Sequence, residues 1–315
     1  MKRNFFKYIF ISVISISTAF GVYSIASESA KRQNNSTVIS KPEHTIGLTD
    51  LSGYRFHCDE DTSEIESMLS KLAPLNNRPL NEIVVAAAGL LEGRPYIGKT
   101  LEGDTEELVI NVDGLDCVTF VENCFALAKA TASGSSTWHD VARNLENLRY
   151  RDGVRKDFSS RLHYTTDWIA DNIKRGNLRE VTTSIPGYKT ILKTLDFMTT
   201  HRDLYPAMGD EEIYRKCKEN EHSLRSVQIP YVSRYDSDNP EVAEVLEDGD
   251  MISFVSNVDG LDSSHVALIR IIDGQPYMIH ASTKKGKVVF ETTPLYRYFK
   301  KSNRSAPGFR VVRLI

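Results

Sequence analysis

The sequence predicts an α+β fold in which the helices come first along the chain and an antiparallel sheet comes last. Apolar residues follow a helical period in several segments of the first two-thirds, and short β-rich runs separated by Asp-Gly and Lys-Gly turns fill the last third. Because the two kinds of element are segregated, a doubly wound parallel sheet is disfavoured. With 315 residues and 41% hydrophobic content, the chain can bury a substantial core.

The helical patterns have recognisable boundaries. Predicted helices span residues 63–72, 80–91, 138–148, 165–174 and 188–199. Pro79 and Gly93 flank the second of these, as is typical of helix starts and ends. A β-like run at 108–112 ends at Asp113-Gly114, and the apolar run after it contains no Gly or Pro. Cys117 is therefore predicted to open a further helix.

The late β-rich runs predict the sheet and bring two histidines together. Predicted strands span residues 250–256, 265–272, 277–281, 288–292 and 309–314. His265 begins one strand and His280 ends the next, with a four-residue turn at 273–276 between the strands. Antiparallel pairing of the two strands would place both histidines side by side at one end of the sheet.

The first 30 residues predict export. Lys2, Arg3 and Lys7 precede a largely apolar run at 8–26, and small residues near its end offer cleavage sites. We interpret residues 1–30 as a signal peptide; the alternative is an uncleaved anchor, which would give the N-terminus a membrane contact. We interpret residues 31–50 as a polar linker and residues 51–315 as a single catalytic domain. Both interpretations place that domain in the periplasm or cell envelope.

The amino-acid composition limits the classes of molecule that the protein is expected to bind. The formal net charge of −3 provides no basic face for nucleic acid. The eight histidines are scattered and form no His-Glu-x-x-His pattern, so neither a metal nor another cofactor is expected. Four cysteines form too few disulfides to stabilise a chain of this length. The sequence leaves open whether Cys58 and Cys217 form a disulfide. The sequence does not indicate an oligomeric state.

Cys117, His265 and His280 are the candidate catalytic residues. A helix N-terminus favours negative charge, which is what a nucleophilic thiolate needs. Buried structural cysteines are common, so helix position alone would favour a structural role for Cys117. A nucleophile also needs a base and a group that orients the base, and the two histidines supply both. Together the three residues favour catalysis.

Several segments resemble the ordered blocks of NlpC-type cysteine hydrolases. These blocks are 93–98, 114–122, 247–254, 264–268 and 279–282. The segments 100–102, 115–122 and 161–169 are similar to a narrower branch, called N-acetylmuramoyl-L-alanine amidase-like. The resemblance runs through most of the chain after the export segment. The chain departs from peptidase relatives in having Val118-Thr119 after the cysteine and an insertion near 131–233.

The resemblance implies a papain-like catalytic domain and assigns roles within it. Cys117 would attack the substrate, His265 would act as the base, and His280 would orient His265. Tyr96 matches a tyrosine that borders the nucleophile and stabilises the oxyanion. Asp116 matches a residue that holds the free amine of the substrate in peptidase relatives.

The resemblance also implies a substrate. It would be peptidoglycan or a muropeptide, cut at the amide between the lactyl group of N-acetylmuramic acid and L-Ala. Arg161, His163, Tyr164, Asp167 and Trp168 are interpreted as substrate-binding, because Arg grips carboxylates and aromatic rings lie against sugars. The alternative is an ordinary helix with a capped start and a core tryptophan.

Two other functions stay open at this point. An endopeptidase would cut within the stem peptide, between D-Glu and the diamino acid. A non-catalytic module would bind the wall through its sheet without cleaving it, although the complete set of Cys117, His265 and His280 argues against this.

Overall fold

The computed structural model describes residues 53–58, 60–302 and 305–315. The predicted signal peptide or anchor and the linker, residues 1–50, lie outside the described residues. Within the described ranges, no helix is both long enough and apolar enough to cross a membrane.

Helices dominate the first half of the described chain, and shorter or isolated helices follow in the second half. They are α1 (Asp61–Leu72), α2 (Leu80–Leu90), α3 (Cys117–Ala132), α4 (Trp138–Arg149), α5 (Thr165–Lys174), α6 (Phe197–Thr200), α7 (Glu211–Ser223), α8 (Pro240–Val245) and α9 (Leu295–Arg297). The predicted helices at 63–72, 80–91, 138–148 and 165–174 are confirmed, with bounds shifted by no more than about two residues. The predicted helix start at Cys117 is also confirmed.

Eight strands form one antiparallel sheet. The strands of the protein are β1 (Tyr54–Phe56), β2 (Leu108–Ile110), β3 (Leu178–Glu180), β4 (Lys189–Lys193), β5 (Val227–Ser233), β6 (Met251–Val255), β7 (Ser263–Ile272), β8 (Gln275–Ser282), β9 (Lys287–Phe290) and β10 (Gly308–Leu314). The sheet order is β4-β5-β10-β6-β7-β8-β9, and β3 pairs with the end of β10. Strands β1 and β2 form a separate parallel pair. The predicted mixed α+β architecture with an antiparallel sheet is confirmed.

The predicted helix at 188–199 is wrong. Residues Lys189–Lys193 form β4, which pairs with β5 with Ile191 opposite Ile229, and only Phe197–Thr200 are helical. Short apolar runs suit either a helix or a strand, and the pairing partner decides between them. That partner lies far along the chain, inside the segment interpreted as an insertion, so local periodicity carried no sign of it.

Helix α3 lies at the centre of the core. It is flanked by α2 and α4 and packs against β7 and β8 of the sheet. Nearly all of its side chains are buried, from Cys117 at its first position to Thr131 near its end. A helix that is apolar on every side belongs inside a protein, which explains why this run has only a weak amphipathic pattern.

A buried ion pair fastens β10 to the start of β6. Asp250 is fully buried and accepts hydrogen bonds from Arg313 at 2.6 Å (Nε to Oδ1) and 2.8 Å (Nη2 to Oδ2). Burial raises the pKa of Asp250, and the Arg313 guanidinium acts against that rise. The carboxylate therefore depends on its partner to stay charged.

Replacing Asp250 should destabilise the fold. We expect Asp250→Ala to lower the free energy of unfolding by about 3 kcal/mol, because Arg313 loses its buried partner and keeps only the exposed Glu247 as an ion-pair partner. The matched control is Glu82→Ala, which breaks the exposed Arg78–Glu82 pair and should cost less than about 1 kcal/mol. Urea unfolding of both variants measures the difference, and equal losses would contradict the assignment.

Candidate active site

A tight turn at residues 111–114 precedes the start of α3. The side-chain oxygen of Asn111 accepts hydrogen bonds from the backbone N–H groups of Asp113 and Gly114, both at 2.9 Å. Its amide nitrogen donates to the Gly114 carbonyl at 2.7 Å. A Cβ on Gly114 would lie 2.4 Å from Cδ1 of Ile97, so only glycine fits there without displacing that side chain. The turn fixes where the next residues begin the helix.

Asp116 caps the helix on which Cys117 is the first residue. One Asp116 carboxylate oxygen accepts from the N–H groups of Val118 (3.0 Å) and Thr119 (2.8 Å), and the Thr119 hydroxyl accepts from the Asp116 N–H at 2.9 Å. This reciprocal capping box defines the helix start. Burial raises the pKa of Asp116, and the hydrogen bonds from Thr119 and Val118 counter it. Asp116 thus holds the helix terminus, and its contact with substrate stays a prediction.

Tyr96 lies beside the start of α3. Its backbone N–H donates to the Gly286 carbonyl at 2.8 Å, and it forms a single parallel bridge with Leu115. Burial raises the pKa of Tyr96, and negative charge at Cys117 and at Asp116 raises it further. The Tyr96 hydroxyl is therefore protonated at neutral pH and can donate a hydrogen bond next to the thiol.

His265 and His280 meet at the end of the sheet that α3 covers. His265 on β7 and His280 on β8 are joined by a 2.5 Å contact between Nε2 of His265 and Nδ1 of His280. Their chain neighbours Val266 and Ala281 belong to the same hydrophobic cluster as Cys117. The structure thus confirms the predicted pairing of the histidines and packs the helix of the thiol against their strands.

Glu291 extends the histidine pair and was not singled out from the sequence. Nε2 of His280 lies 3.1 Å from one Glu291 carboxylate oxygen, and Nζ of Lys285 lies 2.9 Å from the other. The hydrogen bond from His280, together with that from Lys285, lowers the pKa of Glu291 to about 2 despite partial burial. The residue directly follows β9, and only the pairing of β9 with β8 brings it to His280.

The Glu291 carboxylate decides where the protons of the pair reside. A carboxylate only accepts, so Nε2 of His280 carries a hydrogen, and Nδ1 of His280 then serves as the acceptor for the N–H at Nε2 of His265. The free lone pair of His265 is then on Nδ1. Burial, and secondarily His280, lowers the pKa of His265 well below its usual value. His265 is therefore neutral at pH 7 and can accept a proton at Nδ1.

The five predicted substrate-binding residues do not form one helical face. Arg161 and His163 precede α5 in an extended segment and Tyr164 lies directly before its first residue, in keeping with the predicted helix at 165–174; their contact with substrate stays a prediction. Arg161 is buried and pairs with Glu102 and Glu106 at 3.4 Å each. The segment is irregular because its side chains bond to partners outside it rather than to a helical ladder.

The remaining members of the group also have protein partners. Tyr164 donates its hydroxyl proton to Glu221 at 2.6 Å, and Asp167 pairs with Arg151 at 2.5 Å. Trp168 is buried and stacks on Phe125, which matches the alternative of a core tryptophan. Arg161, His163 and Trp168 nevertheless line a cavity that reaches Asp116 and Val118, next to Cys117.

Comparison with known proteins identifies the family. Residues 86–308 match the family described as N-acetylmuramoyl-L-alanine amidase-like. The chain belongs to this family. The resemblance drawn from the sequence motifs is therefore confirmed at the level of the amidase-like family. No curated protein matches the chain.

Solved structures share the fold of this amidase-like chain. A Bacteroides uniformis protein named as an N-acetylmuramoyl-L-alanine amidase is 32% identical with a TM-score of 0.70, over 75% of this chain and 99% of that one. A Bacteroides fragilis protein, provisionally named as a xylanase, is 35% identical with a TM-score of 0.67, over 73% and 100%. A Legionella pneumophila protein at 21% identity has a TM-score of 0.61 over 80% and 95%, which shows the fold alone.

The other three thiols of this amidase-like chain are poor nucleophiles. All four cysteines are free in the described structure, so Cys58 and Cys217 are not joined. Cys58 donates to Asp113 at 2.9 Å, and this hydrogen bond raises its pKa to about 11. Burial raises the pKa of Cys217 to about 12 and that of Cys124 well above the usual value. Of the four, only Cys117 opens a long helix against two histidines.

Alkylation should therefore single out Cys117. At pH 7 a thiol with a pKa of about 11 is ionised in only about one molecule in ten thousand, and the thiolate is the reactive form. We expect iodoacetamide at pH 7 to modify Cys117 first, as measured by peptide mass spectrometry over time. The double variant Cys58→Ser/Cys217→Ser should react at the same rate as the parent chain. A label that appears first on either of those residues would contradict this reading.

Proposed function

We propose that this family member is a papain-like, NlpC-type cysteine hydrolase that cleaves the amide between the muramoyl lactyl group and L-Ala in peptidoglycan or muropeptides. The observation that carries the proposal is the chain of contacts from His265 through His280 to Glu291, set against the strands on which the Cys117 helix packs. Such a chain holds a neutral imidazole in one tautomer, as a general base requires.

The first chemical step forms an acyl-enzyme. His265 takes the thiol proton of Cys117 at Nδ1, and the sulfur adds to the lactyl carbonyl carbon. Negative charge then develops on the carbonyl oxygen. The positive end of the α3 dipole and the protonated Tyr96 hydroxyl would stabilise it, because a helix N-terminus favours anions.

The second half of the reaction returns the enzyme to its starting state. The His265 imidazolium gives its proton to the L-Ala nitrogen, which leaves as a free amine while the lactyl group stays on sulfur. Water, deprotonated by His265, then hydrolyses the thioester. Glu291 stabilises the transient positive charge through His280, since a carboxylate with a pKa of about 2 stays ionised throughout.

Access to the thiol requires a movement. Cys117 is fully buried in the structure, so a substrate carbonyl reaches its sulfur only after a covering side chain has shifted. Binding energy from the glycan or peptide is the natural source of that shift.

The predicted export signal supports a reaction outside the cytoplasm. Lys2, Arg3 and Lys7 before an apolar run support secretion to the periplasm or cell envelope, where peptidoglycan lies. Glycosidic cleavage is a poorer fit, because glycoside hydrolases use two carboxylates that flank the bond. The groups that converge beside α3 are instead a thiol and two imidazoles.

Defined muropeptides test the bond that is cut. We expect the purified protein to release a stem peptide with a free L-Ala amine from a muramoyl tripeptide, and Cys117→Ala to release none, as identified by mass spectrometry. Cys124→Ala, on the same helix, serves as the control and should keep the activity. Cleavage after D-Glu would instead establish the endopeptidase. Wall binding without cleavage by either form would establish the binding module.

The contacts from His265 through His280 to Glu291 predict how the rate depends on pH and how it changes when Glu291 is replaced. Because the pKa of His265 lies well below 6.5, its base form persists as the pH falls, and the acid limb of kcat/KM should lie below pH 6.5. Glu291→Gln should lower kcat/KM by about 10- to 100-fold, because the tautomer and the ring orientation are no longer held. The exposed Glu244→Gln is the control and should leave kcat/KM unchanged. An unchanged rate in Glu291→Gln would rule the carboxylate out of the mechanism.

A further inference from the structure

A small cavity opens beside the start of α3. Its volume is about 50 Å³, and it lies between the first turns of α3 and the segment that leads into α5. Asp116 and Val118, the two chain neighbours of Cys117, form part of its wall. Leu162, His163 and Trp168 form the facing part. A group bound in this cavity would therefore be close to the nucleophile.

Two ring nitrogens in the cavity wall have no partner in the described structure. Nε1 of Trp168 and Nδ1 of His163 are both buried and make no hydrogen bond. The side chains are at least nine-tenths buried, with 4% of Trp168 and 9% of His163 exposed. Buried polar groups are nearly always paired, so two orphans on one wall indicate a ligand that supplies the missing partners.

The two orphans offer one donor and one acceptor. The Trp168 indole N–H can only donate. Nε2 of His163 lies 2.8 Å from the Phe158 carbonyl, which can only accept, so the hydrogen of the neutral ring is on Nε2. Burial, and then the charge of Arg161, lowers the pKa of His163 well below its usual value and keeps the ring neutral. Nδ1 therefore presents a lone pair.

The charges around the cavity are already compensated. Arg161 pairs with Glu102 and Glu106, and the buried Arg149 donates to Glu122 at 2.7 Å. A carboxylate entering the cavity would have to compete with these acidic partners. The cavity therefore suits a neutral group, and the earlier expectation that Arg161 grips a substrate carboxylate loses support.

The volume of the cavity and the residues that line it indicate which neutral group it could bind. One water molecule needs about 10–15 Å³ on this scale, so about 50 Å³ accommodates three to five water-sized groups. Val118, Val121, Leu162 and Val266 provide apolar wall beside the two ring nitrogens. A neutral ligand with one acceptor, one donor and a methyl group matches this lining: a secondary acetamide.

We propose that this cavity binds the acetamido group of the muramoyl residue. The acetyl oxygen accepts from Nε1 of Trp168, the amide N–H donates to Nδ1 of His163, and the methyl group packs on Val118 and Val121. This inference rests on the proposed function, which places the lactyl carbonyl at Cys117. The acetamido and lactyl groups occupy adjacent carbons of the sugar ring, so both fit within about one helical turn of α3, or about 5.4 Å.

Two substrates test the proposal: the muramoyl tripeptide and the same compound with a free amine in place of the acetamido group. The amine is cationic at pH 7, cannot accept from Trp168, and would have to be desolvated. We expect the parent enzyme to prefer the acetylated substrate by at least about 100-fold in kcat/KM. Trp168→Phe should lose about tenfold on the acetylated substrate and little on the amine, so the preference falls.

Trp138→Phe is the matched control, since Trp138 is the other tryptophan and lies outside the cavity wall. It should keep the full preference. His163→Gln is a second probe, because glutamine can still donate towards Phe158 while the ring acceptor is lost, and it should also reduce the preference. Thermal unfolding confirms that each variant is folded.

Three results would overturn the assignment of the cavity. These are equal kcat/KM values for the two substrates in the parent enzyme, an equal loss on both substrates in Trp168→Phe, or an unchanged preference in folded His163→Gln. The cavity would then hold ordered water only. Product masses separate this from failure of the proposed function, because release of a stem peptide with a free L-Ala amine from either substrate supports the amidase whatever the preference.

Discussion

The burial of α3 against β7 and β8 is the constraint on which the rest of the structure depends. The helix is apolar on nearly every side, so it is stable only when other helices and the sheet enclose it. That enclosure puts the N-terminal residue, Cys117, at the protein interior and packs its helix against the strands of both histidines. The capping box of Asp116 and Thr119 then fixes the residue at which the helix begins.

The same burial shapes the electrostatics of the site. Removing His265 from water disfavours its charged form, which leaves a neutral imidazole on the strand that α3 packs against. Glu291 keeps its charge because His280 and Lys285 both hydrogen-bond to it. The result is a chain of contacts with the neutral ring of His265 at one end and the negative charge of Glu291 at the other. A proton accepted at one end is stabilised from the other.

The wall next to the nucleophile follows a different principle. There the cations Arg149 and Arg161 are matched by carboxylates, so the space they border is close to neutral. Among the polar atoms of the wall without a hydrogen bond are one indole donor, one imidazole acceptor and Nε of Arg161, which is paired with Glu106. In proteins that recognise neutral groups, unpaired polar atoms in a dry cavity discriminate strongly, because the wrong ligand leaves them unpaired. In our proposals, catalysis and recognition therefore use separate groups: the histidine pair with Glu291 for the first, and the wall of this cavity for the second.

Local pattern determined much of this protein. The helical period located α1 to α5, and the turn at Gly114 located the start of α3. The helix start at Cys117 and the two strand-end histidines indicated the candidate catalytic residues, and the motif blocks around them indicated the family. These features depend on neighbours in the sequence. The strand at 189–193, the contact of Glu291 with His280, and the pairing of Arg161 with Glu102 and Glu106 were decided only by tertiary structure. Each depends on a partner far along the chain, whose position is set by packing and strand register rather than by local propensity.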